Sequence, residues 1–147
     1  MTDISGAFAP SDRFVVGMGF ASAATADEII ALLESCLSAS RVHHHQLVAI
    51  GTYMRKQASP LLLPVMLHFG VPLRLFDEDD LRDAGPGVAD AVAGLAGPLQ
   101  LRKTKSDFAT CAIARCASGF SLARFGQPYS ASAPIAASTL LTSVAGP

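Results

Sequence analysis

Short runs of β-branched and aromatic residues alternate along the chain with segments in which apolar residues recur at helical spacing. Continuous apolar runs of this length are typical of buried strands, and spacings of three and four are typical of amphipathic helices. The runs predict five strands, at residues 13–20, 46–53, 71–76, 98–103 and 107–115. This alternation predicts an α/β fold, a three-layer α/β/α sandwich with a mostly parallel five-stranded sheet and one antiparallel strand.

Helices are predicted between the strands, at residues 25–37, 59–72 and 86–97. In the first helix, Thr25 can cap the amino end, and Glu28 three residues later completes a capping box. The acidic run at 77–83 is typical of a first helical turn or of a solvated loop. It lacks the ligand spacing of a loop that binds a hard metal ion.

The second predicted helix contains a proline within its apolar stretch. Ser59 can cap its start, Pro60 suits its first position and Gly70 is a stop signal. Pro64 has no backbone N–H group, so we expect it to kink the helix or to delay its regular start.

The last two predicted strands are joined by only the short polar link Thr-Lys-Ser, which cannot hold a parallel crossover. We therefore expect these strands, if adjacent, to be antiparallel. We predict an α/β domain at residues 13–116 and an Ala/Ser-rich tail at 117–147. The composition of the tail leaves open whether it is loosely ordered or forms a strap with a short helix near 134–144.

Composition excludes several classes of function. The 147 residues include 11 basic and 12 acidic side chains, so no global field attracts nucleic acid or an anionic membrane. No apolar run approaches the ~20 residues that cross a bilayer. The amino terminus lacks the pattern of a secretory signal, so we expect a cytoplasmic protein. Cys36 and Cys111 lie in apolar periodic segments and are expected to pack as buried thiols.

Cationic side chains follow the ends of two predicted strands. Arg55 and Lys56 come after the second strand, and Arg102, Lys103 and Lys105 come at or after the end of the fourth. The carboxyl ends of parallel strands share one edge of a sheet, where ligands of open α/β folds bind. We therefore expect these cations to converge on one positive rim.

A Gly-x-Gly turn ends the first strand at the same predicted edge. Gly17 and Gly19 let the backbone approach a ligand, and the next helix points its free N–H groups toward negative charge. A dinucleotide fingerprint needs a third glycine, but Ser22 stands there and no acidic residue ends the second strand. We therefore exclude NAD. No Walker-type phosphate loop is present either, and no cofactor is predicted.

The three consecutive histidines at 43–45 suggest a metal site by composition alone. They precede the second strand, so they are expected at the end of the sheet opposite the positive rim. Adjacent residues of an extended segment point to opposite faces, and no second Cys/His group completes a tetrahedral site. We therefore predict a surface loop and no metal, with His68 packed or partly exposed at the edge of the core.

Three stretches, VVGMGFASAATADEIIALLESCL, LVAIGTYMRKQASPLLLPVMLHFGVPLRLFDEDDL and LQLRKTKSDFATCAIAR, resemble in this order the cobalamin-biosynthesis family of CobE and the C-terminal domain of CbiG. The resemblance spans about residues 13–116. Ser59 stands where that family usually has a glutamate, and a serine can cap a helix there. The family's motifs match at Gly17, Gly19, Lys56, residues 70–76, Leu81, Leu99 or Leu101, Lys103, Thr110 and residues 112–114.

The resemblance implies a role in building the corrin ring of vitamin B12, with a precorrin or corrinoid intermediate as the ligand. A precorrin is a flat macrocycle that carries several carboxylates, and a rim of cations and free amides suits it. The residues expected to bind it are Gly17, Gly19, Lys56, Lys103, Lys105 and Thr110.

Two alternatives come from different classes of function. CbiG relatives are associated with opening the lactone of cobalt-precorrin-5A and releasing acetaldehyde, which requires a general base and a stabilised oxyanion. Tyr53 and Asp107 are the candidate bases near the strand ends, and sheet-edge or turn roles explain both equally well. The other alternative is a docking module that passes intermediates between pathway enzymes and uses residues 118–147 as its contact.

Overall fold

Six strands form one mixed sheet in a computed structural model that describes residues 11–81 and 87–130. The spatial order is β4-β5-β1-β2-β3-β6. β1, β2 and β3 are parallel to one another, whereas β5 is antiparallel to both β1 and β4, and β6 is antiparallel to β3. The strands are β1 (Phe14–Phe20), β2 (Leu47–Tyr53), β3 (Leu73–Phe76), β4 (Leu99–Lys105), β5 (Ala109–Arg115) and β6 (Gln127–Pro128).

The predicted α/β architecture is confirmed, with one correction to the sheet. Instead of five strands the described residues form six, and two of them, β5 and β6, run against the rest. The sequence pattern missed β6 because it has only two residues, one of them a proline. Its pairing depends on the free edge of β3, where Tyr129 N–H donates to Leu73 C=O at 3.0 Å.

Helices cover both faces of the sheet. Alternate residues of β1 point to opposite sides: Val16 packs into the core with α1 and α2, and Val15 packs into the core with α4. Among the described residues, no helix has both the length and the apolar character that a bilayer crossing requires. The helices are α1 (Ala26–Ala39), α2 (Leu62–Phe69), α3 (Glu78–Leu81) and α4 (Val88–Gly94).

Pro64 delays the regular start of α2. It is the third residue of the helix, where its missing N–H group has no intrahelical partner to lose. The predicted cap Ser59 lies before the regular helix, and its Oγ accepts a hydrogen bond from Leu61 N–H at 3.2 Å. Gly70, with a φ of 67°, ends the helix as predicted.

The acidic run after β3 begins with a helical turn, one of the two structures that its composition allows. Asp80 N–H donates to Asp77 Oδ1 at 2.9 Å, and Asp77 N–H donates to Asp80 Oδ2 at 3.0 Å. This reciprocal pair caps α3 and places several carboxylates at the carboxyl end of β3.

β4 and β5 form the predicted antiparallel hairpin. Lys105 pairs with Thr110, so β4 continues two residues beyond its expected end and the turn consists of residues 106–108. β4 runs in the same direction as β1, since β5 is antiparallel to both. The last residues of β4 therefore reach the same edge of the sheet as the end of β1.

The chain after β5 returns across the sheet to β3. Phe125 is buried and packs edge-on against Phe76, with ring centroids 4.7 Å apart. Arg74 Nε donates to Phe125 C=O at 2.7 Å, and Arg74 Nη2 donates to Gly126 C=O at 3.1 Å. These contacts hold residues 120–130 as a strap, and the helix predicted near 134–144 lies outside the described residues.

The two thiols expected in the core are both buried. Cys36 on α1 and Cys111 on β5 are 2% and 0% exposed. A hydrogen bond with Cys36 and burial raise the pKa of the Cys111 thiol far above its ordinary value. Cys111 therefore stays a neutral thiol and acts as a small apolar side chain.

α4 lies directly on β1 and β2 because the strands carry glycines beneath it. A Cβ on Gly17 would collide with Ala89 C=O and lie 2.8 Å from Ala93 N, both in α4. A Cβ on Gly51 would collide with Val92 of the same helix. The missing side chains let the helix backbone approach the sheet closely.

We expect Gly17→Ala to destabilise the protein by about 1–3 kcal/mol, because the added methyl group overpacks a contact between two backbones. Gly94→Ala is the matched control, since a Cβ there meets nothing within 4 Å and alanine favours a helix over glycine. Urea denaturation measures both free energies of unfolding. Equal stability of the two variants would contradict the packing role of Gly17.

Glu28 joins the start of α1 to the turn between β4 and β5. Its carboxylate accepts hydrogen bonds from Ser106 Oγ and from Phe108 N–H, the latter at 2.7 Å. Thr25 caps α1 as predicted, and its Oγ1 accepts from Glu28 N–H at 3.1 Å. Hydrogen bonds from Ser106, Phe108 and Thr25 hold the pKa of Glu28 below its ordinary value, against a smaller opposing effect of burial.

Glu28→Gln should lower the melting temperature at neutral pH, because an uncharged amide is a weaker acceptor for the turn. The pKa of Glu28 is lower in the folded state, so its stabilisation is complete above about pH 4.5 and is lost as the pH falls through the folded-state value. We therefore expect the two melting temperatures to converge as the solution is acidified.

Thermal unfolding of both proteins between neutral and acidic pH measures this effect. Asp27→Asn is the control, since Asp27 is an exposed carboxylate in the same helical turn. If both variants lose the same stability at every pH, the effect belongs to the helix dipole and not to the link with the turn.

Candidate functional site

A cavity of about 310 Å³ lies at the carboxyl edge of the sheet. Four of the six residues that the sequence predicts to bind the ligand line it: Gly19, Lys103, Lys105 and Thr110. We call it the lysine cavity. Its lining also contains Phe20, Ala21, Gly87, Val88 and residues 106–109.

Gly19 and Thr110 face each other across the β1–β5 pair on one wall of the lysine cavity. Thr110 Oγ1 donates to Gly19 C=O at 3.4 Å, and a Cβ on Gly19 would lie only 2.9 Å from that hydroxyl oxygen. The bare glycine therefore leaves room for the threonine side chain beside the strand backbone.

Lys103 and Lys105 supply the positive charge of this cavity. Both are exposed, and Lys103 Nζ lies 3.6 Å from the position that a Cβ on Gly87 would take, beside the first turn of α4. Neither lysine forms an ion pair with a carboxylate of residues 11–81 or 87–130. Asp107 contributes a carboxylate to the same lining, so the cavity is lined by two lysines and one acidic residue.

Lys56 lies at the border of the lysine cavity, outside its lining. Its Nζ is 5.0 Å from the centroid of the Phe20 ring, close enough for a cation–π contact, and Phe20 lines the cavity. Gly17 has a different position, since it lies beneath α4 and away from the cavity lining. Its lack of a side chain serves packing there.

The arginines of the predicted rim lie outside the lysine cavity. Arg55 forms an ion pair with Glu78 at 3.1 Å and stacks over Tyr53, with its Cζ 5.1 Å from the ring centroid. The bond with Glu78 raises the pKa of Arg55, so the guanidinium stays charged. Arg102 is exposed on β4 and is not part of the cavity lining. Of the five cations predicted to form the rim, only Lys103 and Lys105 line the lysine cavity, and Lys56 lies at its border.

A larger cavity of about 770 Å³ adjoins the first and shares Gly87 and Val88 with it. The sequence pattern did not predict this acidic cavity, since the acidic run was interpreted only as a helical turn or a loop. The position of Asp77 directly after a strand end is the feature that could have indicated it. Its acidic lining repels carboxylates, so anions are favoured in the smaller lysine cavity. The other lining residues are Tyr53, Asp77, Glu78, Asp79, Leu81 and Ala91.

The histidines lie away from this edge, on the surface around α1 and α2. The Nε2 atoms of His44 and His68 each lie 2.7 Å from a different oxygen of Glu34. Burial opposes ionisation of Glu34, but the bonds with His68 and His44 outweigh it and hold its pKa below the ordinary value. In the described parts of the chain, no group of three His, Cys, Asp or Glu residues could hold a metal ion.

Three solved structures resemble this chain at low sequence identity. CobE, a protein from the cobalamin (vitamin B12) biosynthetic pathway, aligns with a TM-score of 0.64 and 23% identity over 71% of this chain and 93% of its own. Cobalamin biosynthesis protein chiG from Agrobacterium tumefaciens aligns with a TM-score of 0.60 and 21% identity over 71% of this chain and 98% of its own. These likenesses show a shared fold.

A cobalamin biosynthesis protein G homologue from Sulfolobus solfataricus aligns with a TM-score of 0.61 and 21% identity, over 72% of this chain but only 37% of its own length. No curated protein matches the chain. The family model described as cobalamin synthesis G C-terminus matches residues 14–114. This match covers more than half of the sequence and agrees with the resemblance seen in the motifs, so the chain belongs to the family of the cobalamin synthesis G C-terminal domain.

Proposed function

We propose that this protein binds a precorrin or corrinoid intermediate of cobalamin biosynthesis through the lysine cavity. The observation that carries the proposal is that Lys103 and Lys105 line one cavity, and neither forms an ion pair with a carboxylate in the part of the chain that the structure describes. Ammonium groups form charge-assisted hydrogen bonds with carboxylates that are about twice as strong as neutral ones. Membership of a cobalamin biosynthesis family supports a ligand that carries several carboxylates.

The size of the cavity indicates how such a ligand is held. Its volume of about 310 Å³ is at the lower end of the usual range for small-molecule sites, roughly 300–1,000 Å³. It therefore takes one carboxylate-bearing edge of a macrocycle, and the rest of the ring lies outside it. The acidic cavity beyond Gly87 and Val88 disfavours carboxylates, so the difference in charge between the two cavities helps to orient the ligand.

Binding is favoured over lactone opening by the placement of the candidate bases. Tyr53 lines the acidic cavity and Asp107 lines the lysine cavity, so the two do not act at one point. Asp107 also shares its cavity with Lys103 and Lys105, so its carboxylate and those of a substrate compete for the same ammonium groups. If incubation with cobalt-precorrin-5A releases acetaldehyde, the function is lactone hydrolysis and not binding alone.

Lys103→Met combined with Lys105→Met should weaken binding of hydrogenobyrinic acid about 10-fold to 100-fold. Each charge-assisted bond contributes about 1.5–3 kcal/mol before solvent screening reduces it at this exposed site. Lys56→Met should have a smaller effect, because its ammonium group contacts the Phe20 ring at the border of the cavity. Absorbance titration with the coloured ligand measures the affinities of the unchanged protein and of both variants.

Arg102→Gln combined with Arg124→Gln is the matched control, since it removes the same net charge from exposed positions outside the lysine cavity. We expect near-normal affinity for this control and a steeper salt dependence for the unchanged protein than for the double lysine variant. An equal loss in both double variants would show that only net charge matters and would refute the site.

A further inference from the structure

Phe108 is a large apolar side chain left exposed at the tip of the β4–β5 turn. It is 47% exposed and lines the lysine cavity. Single exposed apolar side chains are common and need no special explanation. Phe108 differs from most of them in how its backbone is held and in lining the same cavity as Lys103 and Lys105.

Both backbone groups of Phe108 are bound by other elements. Its N–H donates to the Glu28 carboxylate at 2.7 Å, and its C=O accepts from Ala21 N–H at 2.8 Å. Ser106 Oγ donates to the same carboxylate, and Ser106 N–H donates to Ala109 C=O at 2.9 Å, which closes the turn. The aromatic residue is therefore presented by a backbone that needs no ordering when a ligand arrives.

The surroundings of the ring match one class of ligand. Lys103 and Lys105 line the same cavity as Phe108, so an apolar face and two cations are offered together. A simple carboxylate uses the cations and leaves the aromatic face in water. A planar conjugated ring with carboxylates on its rim uses both, because stacked aromatic systems attract each other beyond the effect of buried area.

We infer that Phe108 is a stacking platform for the flat face of the ligand, held in place by Glu28, while Lys103 and Lys105 bind the carboxylates at the ring's edge. This inference rests on the proposed function and extends it, because it assigns recognition of the planar ring to a residue separate from those that bind charge. Selectivity for a macrocycle over a flexible polycarboxylate then depends on Phe108.

The test compares two probes on the full-length chain: hydrogenobyrinic acid, and an oligoglutamate peptide of matched charge without a ring. Phe108→Ala should weaken binding of the corrinoid about tenfold and leave that of the peptide unchanged. Phe108→Tyr keeps the ring and should restore the corrinoid affinity. The change in the corrinoid absorption spectrum on binding should be present with Phe108→Tyr and reduced with Phe108→Ala.

Leu95→Ala is the matched control, since Leu95 is 45% exposed and lies outside the lysine cavity. It should bind both probes normally, and thermal unfolding establishes that each variant is folded. If Phe108→Ala binds the corrinoid normally while the double lysine variant does not, the platform is wrong and the proposed function stands. Equal weakening of both probes by Phe108→Ala also overturns the platform, and failure of the unchanged protein to bind the corrinoid overturns both proposals.

Discussion

The close contact of α4 with β1 is the constraint that shapes the carboxyl edge of the sheet, where both cavities lie. Gly17 and Gly51 have no side chains, so the helix backbone rests directly on the strands. This depth sets where Gly87 and Val88 lie, and these two residues line both the lysine cavity and the acidic cavity. A helix lifted by one methyl group would change the shared wall of both, because close-packed interiors transmit small displacements.

The charged side chains at this edge differ in whether they are already paired. Arg55 is neutralised by Glu78 beside the acidic cavity, and Glu28 uses its negative charge on the turn at Ser106 and Phe108. Lys103 and Lys105 keep their charges available on the other side of the start of α4. One edge thus presents opposite charges on two sides of a helix, and under the proposed function this difference orients a ligand that carries several carboxylates.

Most of the secondary structure follows from local patterns. β1, β2 and β5 were predicted within two residues at each end, and the cap at Thr25 and the stop at Gly70 lie where their residue types require. The short link between the last two long strands determined their antiparallel pairing. β6 and the strap were not predictable in this way, since they form on the free edge of β3 and on bonds from Arg74.

The sequence by itself determined the layered α/β fold, the family and the residues that carry charge after the strand ends, because these depend on periodicity, composition and the order of motifs. Only the tertiary structure decided that Gly19 lines a cavity while Gly17 supports a helix, and that Lys103 is available while Arg55 is paired. Those distinctions arise between residues far apart in the chain, and no local pattern records which distant partner a side chain will meet.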